Sequence, residues 1–589
     1  MGKNSSALWL VTCVIVTLLA VILVHPVLDS GFNDDWSYVR MAERFANTGH
    51  ITYDGWTQPM GVPLTVIGGI LVRLFGFSYL VLRLSVLPFF LGSMVMVWLI
   101  GRRIGLPASL ASLVSLSVVL SPVAIPLGVA FSTDLPAAAL TILAAYCAMR
   151  GEAAEKQGTA MAWLCGAAVT GILAGMNRQI FWAAPPILIG AVAYLRRGER
   201  SFALGAIALI VVTVAISTVA MEWHARQPGI RENSIEIINA HGLGIAKKLV
   251  KETVQLGRTL LLLMLPILVM FLARAGALRR KILFAVAGFT ILFGVVGYFR
   301  PHVIRAPWMG NLFTEFGPFY PREVMLGLKP SLIPHAVQVL LALLVCASAA
   351  SATGFAWQFA TSSQESIRQR LDREWNDHKT FWAFALATVP FFLLYFGMLV
   401  FRSLSFANFD RYMAAIVAFP ALFVAWFWHR LATARSSAIA GWIVVALFAA
   451  FGTAATHDIF AVYRARLAAA DWVTAHEVPR RCLTAGYEYD GDTQLLAQGT
   501  LVDDLASLNS KAIDFWFFEW TPAIQPCMYV VLTPEPKLGP FATKLPYSTW
   551  LSPRQRVMLV QRGPQPCPAS CTRPQDPGYH AGNLMEQSH

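Results

Sequence analysis

Charge is what this sequence has least of. Only 13% of its 589 residues are Asp, Glu, Lys or Arg, and 56% are hydrophobic. A soluble domain carries roughly 25% charged residues. The deficit excludes an ordinary soluble enzyme and, with a mean hydropathy of +0.56, makes the chain a membrane protein. The sequence also has no Walker loop, no GxSxG and no HExxH, which argues against ATP-driven transport and the common hydrolase chemistries. Histidines such as His50, His241 and His302 are scattered without metal-ligand spacing. There are eight cysteines. Cys13, Cys147, Cys165 and Cys346 lie in apolar runs and read as small core residues. Cys482, Cys527, Cys567 and Cys571 lie in a polar C-terminal tail, where "CPASC" has a three-residue gap unlike the CxxC of redox or zinc sites.

What fills the chain is apolar segments. Runs near the roughly 20 residues needed to cross a bilayer fall at 7–27, 79–100, 107–129, 135–149, 159–175, 179–195, 202–221, 258–274, 281–299, 331–352, 379–400, 411–429 and 437–456. The first resembles a signal peptide, but no small-residue cleavage motif follows it before Asp34, so it reads as an uncleaved anchor. Residues 61–76 are short and carry Arg73. Leaving them out of the count makes Lys and Arg roughly twofold denser in one set of alternating loops, as the positive-inside rule requires. That run therefore reads as an interfacial helix, the N-terminus as cytoplasmic and the tail as external. The net charge of +13 then reflects topology, with no nucleic-acid partner implied. The expected domains are a transmembrane unit, 1–456, with outer loops at 28–78, 222–257 and 300–330, and an external unit, 457–589. In the latter "CMYVVLT" and "RQRVMLVQR" read as short strands and "AADWVTAHEV" as a helix, giving a small α/β module.

The scarce charges are not scattered evenly. "DSGFNDDWSYVRMAERFANTGH", residues 29–50, follows directly on the first span and sets Asp34 and Asp35 at the start of an amphipathic helix that Gly49 can close. One carboxylate suits a helix cap; two side by side next to hydrocarbon point to chemistry. Asp134, in "AFSTDLP", opens another span, and there a capping and a functional role are both open. Arg178, Arg300, Arg305, Arg322, Arg402 and Arg411 lie at outer span ends or loops, against the topological bias. Forked donors gathered there, with Tyr412 beside Arg411, suggest a phosphate partner; lipid contact or ion pairs are the alternative. The acidic pair could hold a divalent ion, although no full ligand set is visible.

The order of these motifs resembles the GT-C membrane glycosyltransferases, and within them the bacterial glycosyltransferase family 39 and lipid A aminoarabinose transferase group. The likeness rests on the acidic pair, "YDGWTQPMGVPLTVIGGILVRLFG", "RLSVL", "STDLP", "NRQ...PP" and "DRY...P", over roughly residues 1–460. It implies thirteen spans and an inverting transferase that uses a polyprenyl-phosphate-linked sugar outside the bacterial inner membrane. It makes Asp34 the catalytic carboxylate, with Asp35 beside it, Asp134 a second acidic position and Arg178 the family's basic slot. Where the aminoarabinose enzymes commonly carry Lys-Pro, this chain has Gln58-Pro59. The expected donor-phosphate set is Arg178, Arg411, Tyr412, Arg300, Arg305 and Arg322. The acceptor would be a lipid, glycan or protein hydroxyl. A diphosphate-donor oligosaccharide transferase or ligase, and a transporter or flippase of lipid-linked anions, are the competing readings. A transporter should place ionisable groups mid-span, whereas these spans are almost uncharged. The four tail cysteines are expected to form disulfides in an oxidising compartment. Cys567 with Cys571 is the easiest closure and leaves Cys482 with Cys527, with two other connectivities possible.

Overall fold

The computed structural model describes residues 3–230, 242–320, 322–362, 367–431, 435–501, 513–552, 555–568 and 571. His241 and part of the expected 222–257 loop lie outside these. All thirteen expected spans are helical, but they are not equal. Among the described residues, eight helices are long and apolar enough to cross a membrane: Ser6–Val24, Tyr79–Arg103, Gln157–Asn177, Arg200–Ala225, Arg280–Phe299, His335–Ala360, Lys379–Arg402 and Ser437–Ala475. The pair Gly244–Leu263 and Leu265–Leu272, bent by 78°, would make a ninth. The remaining expected spans are short or broken. Residues 107–129 divide into Ala108–Val119 and Ala124–Gly128, with Pro122 in the break and Pro126 in the first turn of the second piece, and 411–429 divides into Asp410–Ala414 and Ala418–Leu431. Proline removes a backbone donor and crowds the preceding turn, so runs that are continuous in hydropathy are not continuous as helices. Many helices expose Leu, Ile, Val and Phe, and Arg280–Phe299 buries only Val286 and Gly297. That outward apolar surface suits lipid.

The helix after the first span runs Asp35–Thr48 and ends on Gly49 at φ 73°, whose N–H bonds to the Phe45 carbonyl. It buries Trp36, Tyr38, Val39, Met41 and Ala42. Residues 61–76 form the separate helix Val62–Phe75, which lies against it. Gly68 and Gly69 make this contact possible: an added Cβ would come within 2.9 Å of Ala42 or 2.4 Å of Phe45.

The expected boundary at 456/457 falls inside one helix, Arg435–Ala475, so the last span continues directly into the C-terminal module. Among its described residues that module has four strands, β1 (Leu483–Thr484), β2 (Met528–Val531), β3 (Phe541–Tyr547) and β4 (Arg556–Arg562), in the order β1-β2-β4-β3. β1 and β2 are parallel, and the other pairs are antiparallel. The two expected strands are β2 and β4, both largely buried. β3 alternates exposed and half-buried residues.

The disulfide pairing differs from the expected one. Cys482 joins Cys571 and Cys527 joins Cys567, with Cα separations of 5.9 and 5.1 Å. Cys482 and Cys527 sit side by side just before β1 and β2, where the Cys527 N–H bonds to the Cys482 carbonyl at 2.9 Å. The chain beyond β4 returns along these two positions and stitches each to itself. Chain reversal, not nearness in sequence, sets the connectivity. Of the other cysteines, Cys13 and Cys147 are buried, but Cys165 is exposed on its helix.

Candidate functional site

The acidic pair is divided by its geometry. Asp35 turns inward. Its Oδ1 accepts the Phe32 backbone N–H at 2.5 Å and its Oδ2 accepts Arg83 Nε at 2.8 Å, with both side chains 0% exposed. Arg83 also donates to the Leu28 carbonyl at 2.6 Å and to the Ser30 carbonyl. Burial pushes the Asp35 carboxyl up to about 6 even though the Arg83 charge and the Phe32 N–H work against it. This carboxylate fastens the 28–35 segment to the Tyr79–Leu84 helix.

Asp34 occupies the N-cap position but makes no side-chain capping bond. Its carboxylate points the other way. Oδ2 accepts Arg411 Nη1 at 2.8 Å, while Oδ1 accepts the Tyr487 hydroxyl at 2.5 Å and Trp56 Nε1 at 3.2 Å. The side chain keeps 19% of its surface open. Burial works to raise its pKa, but the Arg411 charge, with hydrogen bonds from Tyr487, Arg411 and Trp56, outweighs burial and holds it below the usual carboxylate range. An ionised carboxylate with one accessible edge is thus fixed at the end of the bundle.

Beside it lies a concentration of positive charge. Arg178, in the turn after Gln157–Asn177, forms an ion pair with Asp134 at the start of Asp134–Glu152. Its guanidinium carbon lies 4.9 Å from the Tyr412 ring centroid, and those of Arg402 and Arg411 lie at 5.1 and 5.6 Å. Three guanidinium groups therefore surround one phenol ring. The arrangement is anchored by Asp410, whose buried carboxylate accepts the backbone N–H groups of Asn311, Leu312 and Phe313. With Asp410 turned inward, Arg411 is directed to Asp34. Arg411 Nε is buried and has no hydrogen-bond partner among the described residues. A buried unused donor on one of three clustered cations fits an anion with several acceptor oxygens.

The structure thus brings Asp34, Asp134, Arg178, Arg411 and Tyr412 together through contacts between distant segments. It does not bring Arg300, Arg305 or Arg322 to them. Arg300 is the exposed C-cap of Arg280–Phe299. Arg305 donates to His335 Nε2 at 2.8 Å and lines a separate cavity of about 590 Å³ with Glu315, Tyr320 and Gln338. Arg322 pairs with Glu535 at 2.8 Å. Asp34 and Asp35 are committed to different arginines, so they do not form a joint metal-ligand pair. Among the described residues, no group of three His, Cys, Asp or Glu side chains could hold an ion.

Two site residues, Trp56 and Tyr487, were not singled out from the sequence, and Arg402 was named among the outer arginines but not in the expected donor-phosphate set. Tyr487 comes from the C-terminal module, at the start of helix Tyr487–Gln498. Its segment "YEYDGD" docks residue by residue. Glu488 accepts the Asn33 N–H at 3.2 Å, the Tyr463 hydroxyl at 2.6 Å and Arg466 at 2.7 Å. Asp492 accepts Arg40 at 2.6 Å and Arg480 at 2.7 Å. Close approach also demands Gly486, at φ 95°, and Gly491, where a Cβ would meet the Trp36 ring at 2.8 Å. Three carboxylates in six residues of a chain so poor in charge was the available signal.

No family model matches the chain, and no curated protein matches it. Solved structures with a similar arrangement include ArnT from Cupriavidus metallidurans in the apo state, at 14% identity and a TM-score of 0.37, covering 97% of this chain and 100% of that one. The same ArnT bound to undecaprenyl phosphate aligns at 14% identity and 0.36, covering 98% and 100%. An oligosaccharyltransferase from Archaeoglobus fulgidus, in complex with zinc and sulfate, aligns at 13% and 0.27, covering 67% of this chain and 53% of that one. The functional reading rests on the site itself.

Proposed function

We propose that this chain is a GT-C type inverting glycosyltransferase of the bacterial inner membrane. It moves a sugar from a polyprenyl-phosphate-linked donor to an acceptor hydroxyl on a lipid, glycan or protein at the periplasmic face, with the N-terminus cytoplasmic. The observation that carries this reading is the direct ion pair between Asp34 and Arg411, with Arg178 and Arg402 on the same tyrosine ring. It sets a candidate base next to a candidate phosphate cradle. The donor's lipid tail stays in the bilayer while its phosphate enters the arginine cluster.

The site reads as a coupled pair. Before the donor arrives, Arg411 holds Asp34 as a weak base. A donor phosphate draws on Arg411, including its unused Nε, so the charge that depresses Asp34 is shared and its basicity rises. Oδ1 remains fixed by Tyr487 and Trp56, which makes Oδ2 the oxygen that takes the acceptor proton. The acceptor oxygen attacks the anomeric carbon from the face opposite the phosphate, and the anomeric C–O bond breaks with its electron pair leaving on the phosphate. The arginines meet the added charge there, so part of their contribution is made only in the transition state.

The test is mass spectrometry of envelope glycans and polyprenyl-phosphate sugars in cells with and without this gene, and with the Asp34→Asn form. Accumulation of one lipid-linked sugar together with loss of its glycan is expected. Unchanged profiles in all three strains would remove the transferase reading.

A further inference from the structure

The aromatic groups that hold Asp34 continue into rings that the acid–base and phosphate roles do not use. Trp56, which donates to Asp34, lies 5.5 Å from Tyr487, 6.2 Å from Trp516 and 5.3 Å from Phe517, centroid to centroid. Trp516 stacks on Tyr487 at 5.7 Å with the planes 27° apart. Phe517 is fully buried, as a core residue should be, yet its neighbour Trp516 is 40% exposed. The Trp516 indole N–H is engaged within the protein, donating to the Glu323 carbonyl at 2.8 Å. A tryptophan of an interfacial belt directs its N–H to the wet headgroup layer. This ring, carried by the C-terminal module, is instead held by its edge against the 300–330 loop and stays 40% exposed one ring away from the candidate base.

We infer that Trp516 is a sugar-binding platform: it stacks on the C–H face of the pyranose ring that is brought to Asp34. This rests on the transferase reading for its place in the reaction, though not for its binding. A pyranose has the matching surface, an apolar face of ring C–H bonds rimmed by hydroxyls. The flat electron-rich face of an indole attracts such polarised C–H groups and excludes water from them. The C-terminal module then serves the site twice: Tyr487 positions the carboxylate and Trp516 receives the sugar. The pyranose belongs either to the donor or to a glycan acceptor, and kinetics distinguishes the two.

The experiment uses the full chain in lipid nanodiscs with a set of methyl pyranosides (gluco, galacto, manno and xylo) as probes. Saturation-transfer NMR reads which protons lie against the protein. Ring C–H signals are expected in wild type and in Trp516→Phe, and their loss in Trp516→Ala. With lipid-linked donor recovered from Asp34→Asn membranes, Trp516→Ala should raise KM for the sugar-bearing substrate by about tenfold, the scale of one aromatic contact. Trp516→Phe should restore most of it. A rise in the donor KM assigns the platform to the donor sugar, and a rise in the acceptor KM to the acceptor. Pyranoside contacts unchanged in Trp516→Ala overturn the proposal, as does saturation that reaches lipid acyl protons in place of sugar. If Asp34→Asn cells accumulate no lipid-linked sugar while the pyranosides still depend on Trp516, the transferase reading falls and the platform stands.

Discussion

Replacing Asp34 and Asp35 separately by asparagine should break the protein in two different ways. Asp34→Asn keeps the side-chain shape and a carbonyl oxygen able to accept from Tyr487 and Trp56. It loses the charge facing Arg411, whose side chain is 11% exposed against 19% for Asp34. One charge-assisted bond of this kind is worth about 1.5–3 kcal/mol at most, and the open edge reduces that. The fold should survive. Removing a positioned base costs about 10²–10⁴ in rate, or roughly 2.7–5.5 kcal/mol in the barrier. Asp35→Asn touches no accessible surface but leaves Arg83 charged and uncompensated where both partners are 0% exposed. Breaking a buried pair in this way costs about 3–5 kcal/mol of stability. The assay pairs monodisperse yield and thermal unfolding in detergent with sugar transfer per folded molecule. Asp34→Asn should be folded and inactive; Asp35→Asn should be scarce, with the surviving molecules active. Near-normal turnover in Asp34→Asn, with folded but dead Asp35→Asn, would refute the assignment. If neither variant loses activity per molecule, the acidic pair is structural.

The arginines should show graded losses: at Arg178, Arg402 and Arg411, Lys keeps the charge without the fork, so kcat/KM should fall between wild type and Ala. A lower protein yield with unchanged kcat/KM at all three would place the donor phosphate elsewhere. The pH profile follows from the depressed Asp34 pKa: the group stays ionised above the folded value, so activity is retained as pH falls and is lost only through that value. Because kcat/KM reports free enzyme and kcat the complex, the acidic limb of kcat should lie at higher pH than that of kcat/KM once phosphate has drawn on Arg411. Coincident limbs would count against the coupling. Tyr487→Phe removes the 2.5 Å hydrogen bond to Asp34 and should raise the acidic limb of kcat/KM while leaving protein yield intact; an unmoved limb would make that contact incidental. Non-reducing peptide mapping should recover Cys482–Cys571 and Cys527–Cys567. The links span 89 and 40 residues, so each contributes up to about 4–5 kcal/mol through the unfolded state, and reduction should loosen the C-terminal module first.

The sequence by itself determined that this is a multi-pass helical membrane protein. Low charge, high hydropathy and the length of the apolar runs are local quantities, and a bilayer imposes its constraint on each segment separately. It also determined which charges were worth following, since Asp34, Asp134, Arg178 and Arg411 stand out wherever carboxylates and guanidinium groups are few. It located β2 and β4 and the glycine that ends the Asp35–Thr48 helix, because short apolar runs and left-handed caps are written in short windows. The tertiary structure decided which member of the acidic pair faces outward. Adjacent residues at a helix start differ by about 100° in direction, and only the buried Arg83 on one side and Arg411 on the other show where each carboxylate ends. It decided that Arg178, Arg402 and Arg411 share one tyrosine while Arg300, Arg305 and Arg322 do not, because span ends that look equivalent in hydropathy lie at different positions around the bundle. The disulfide pairing and the entry of Tyr487 and Trp516 into the site were decided there as well. The disulfides close loops of 89 and 40 residues, Tyr487 reaches Asp34 from 453 residues away, and no local pattern encodes where a returning segment lands.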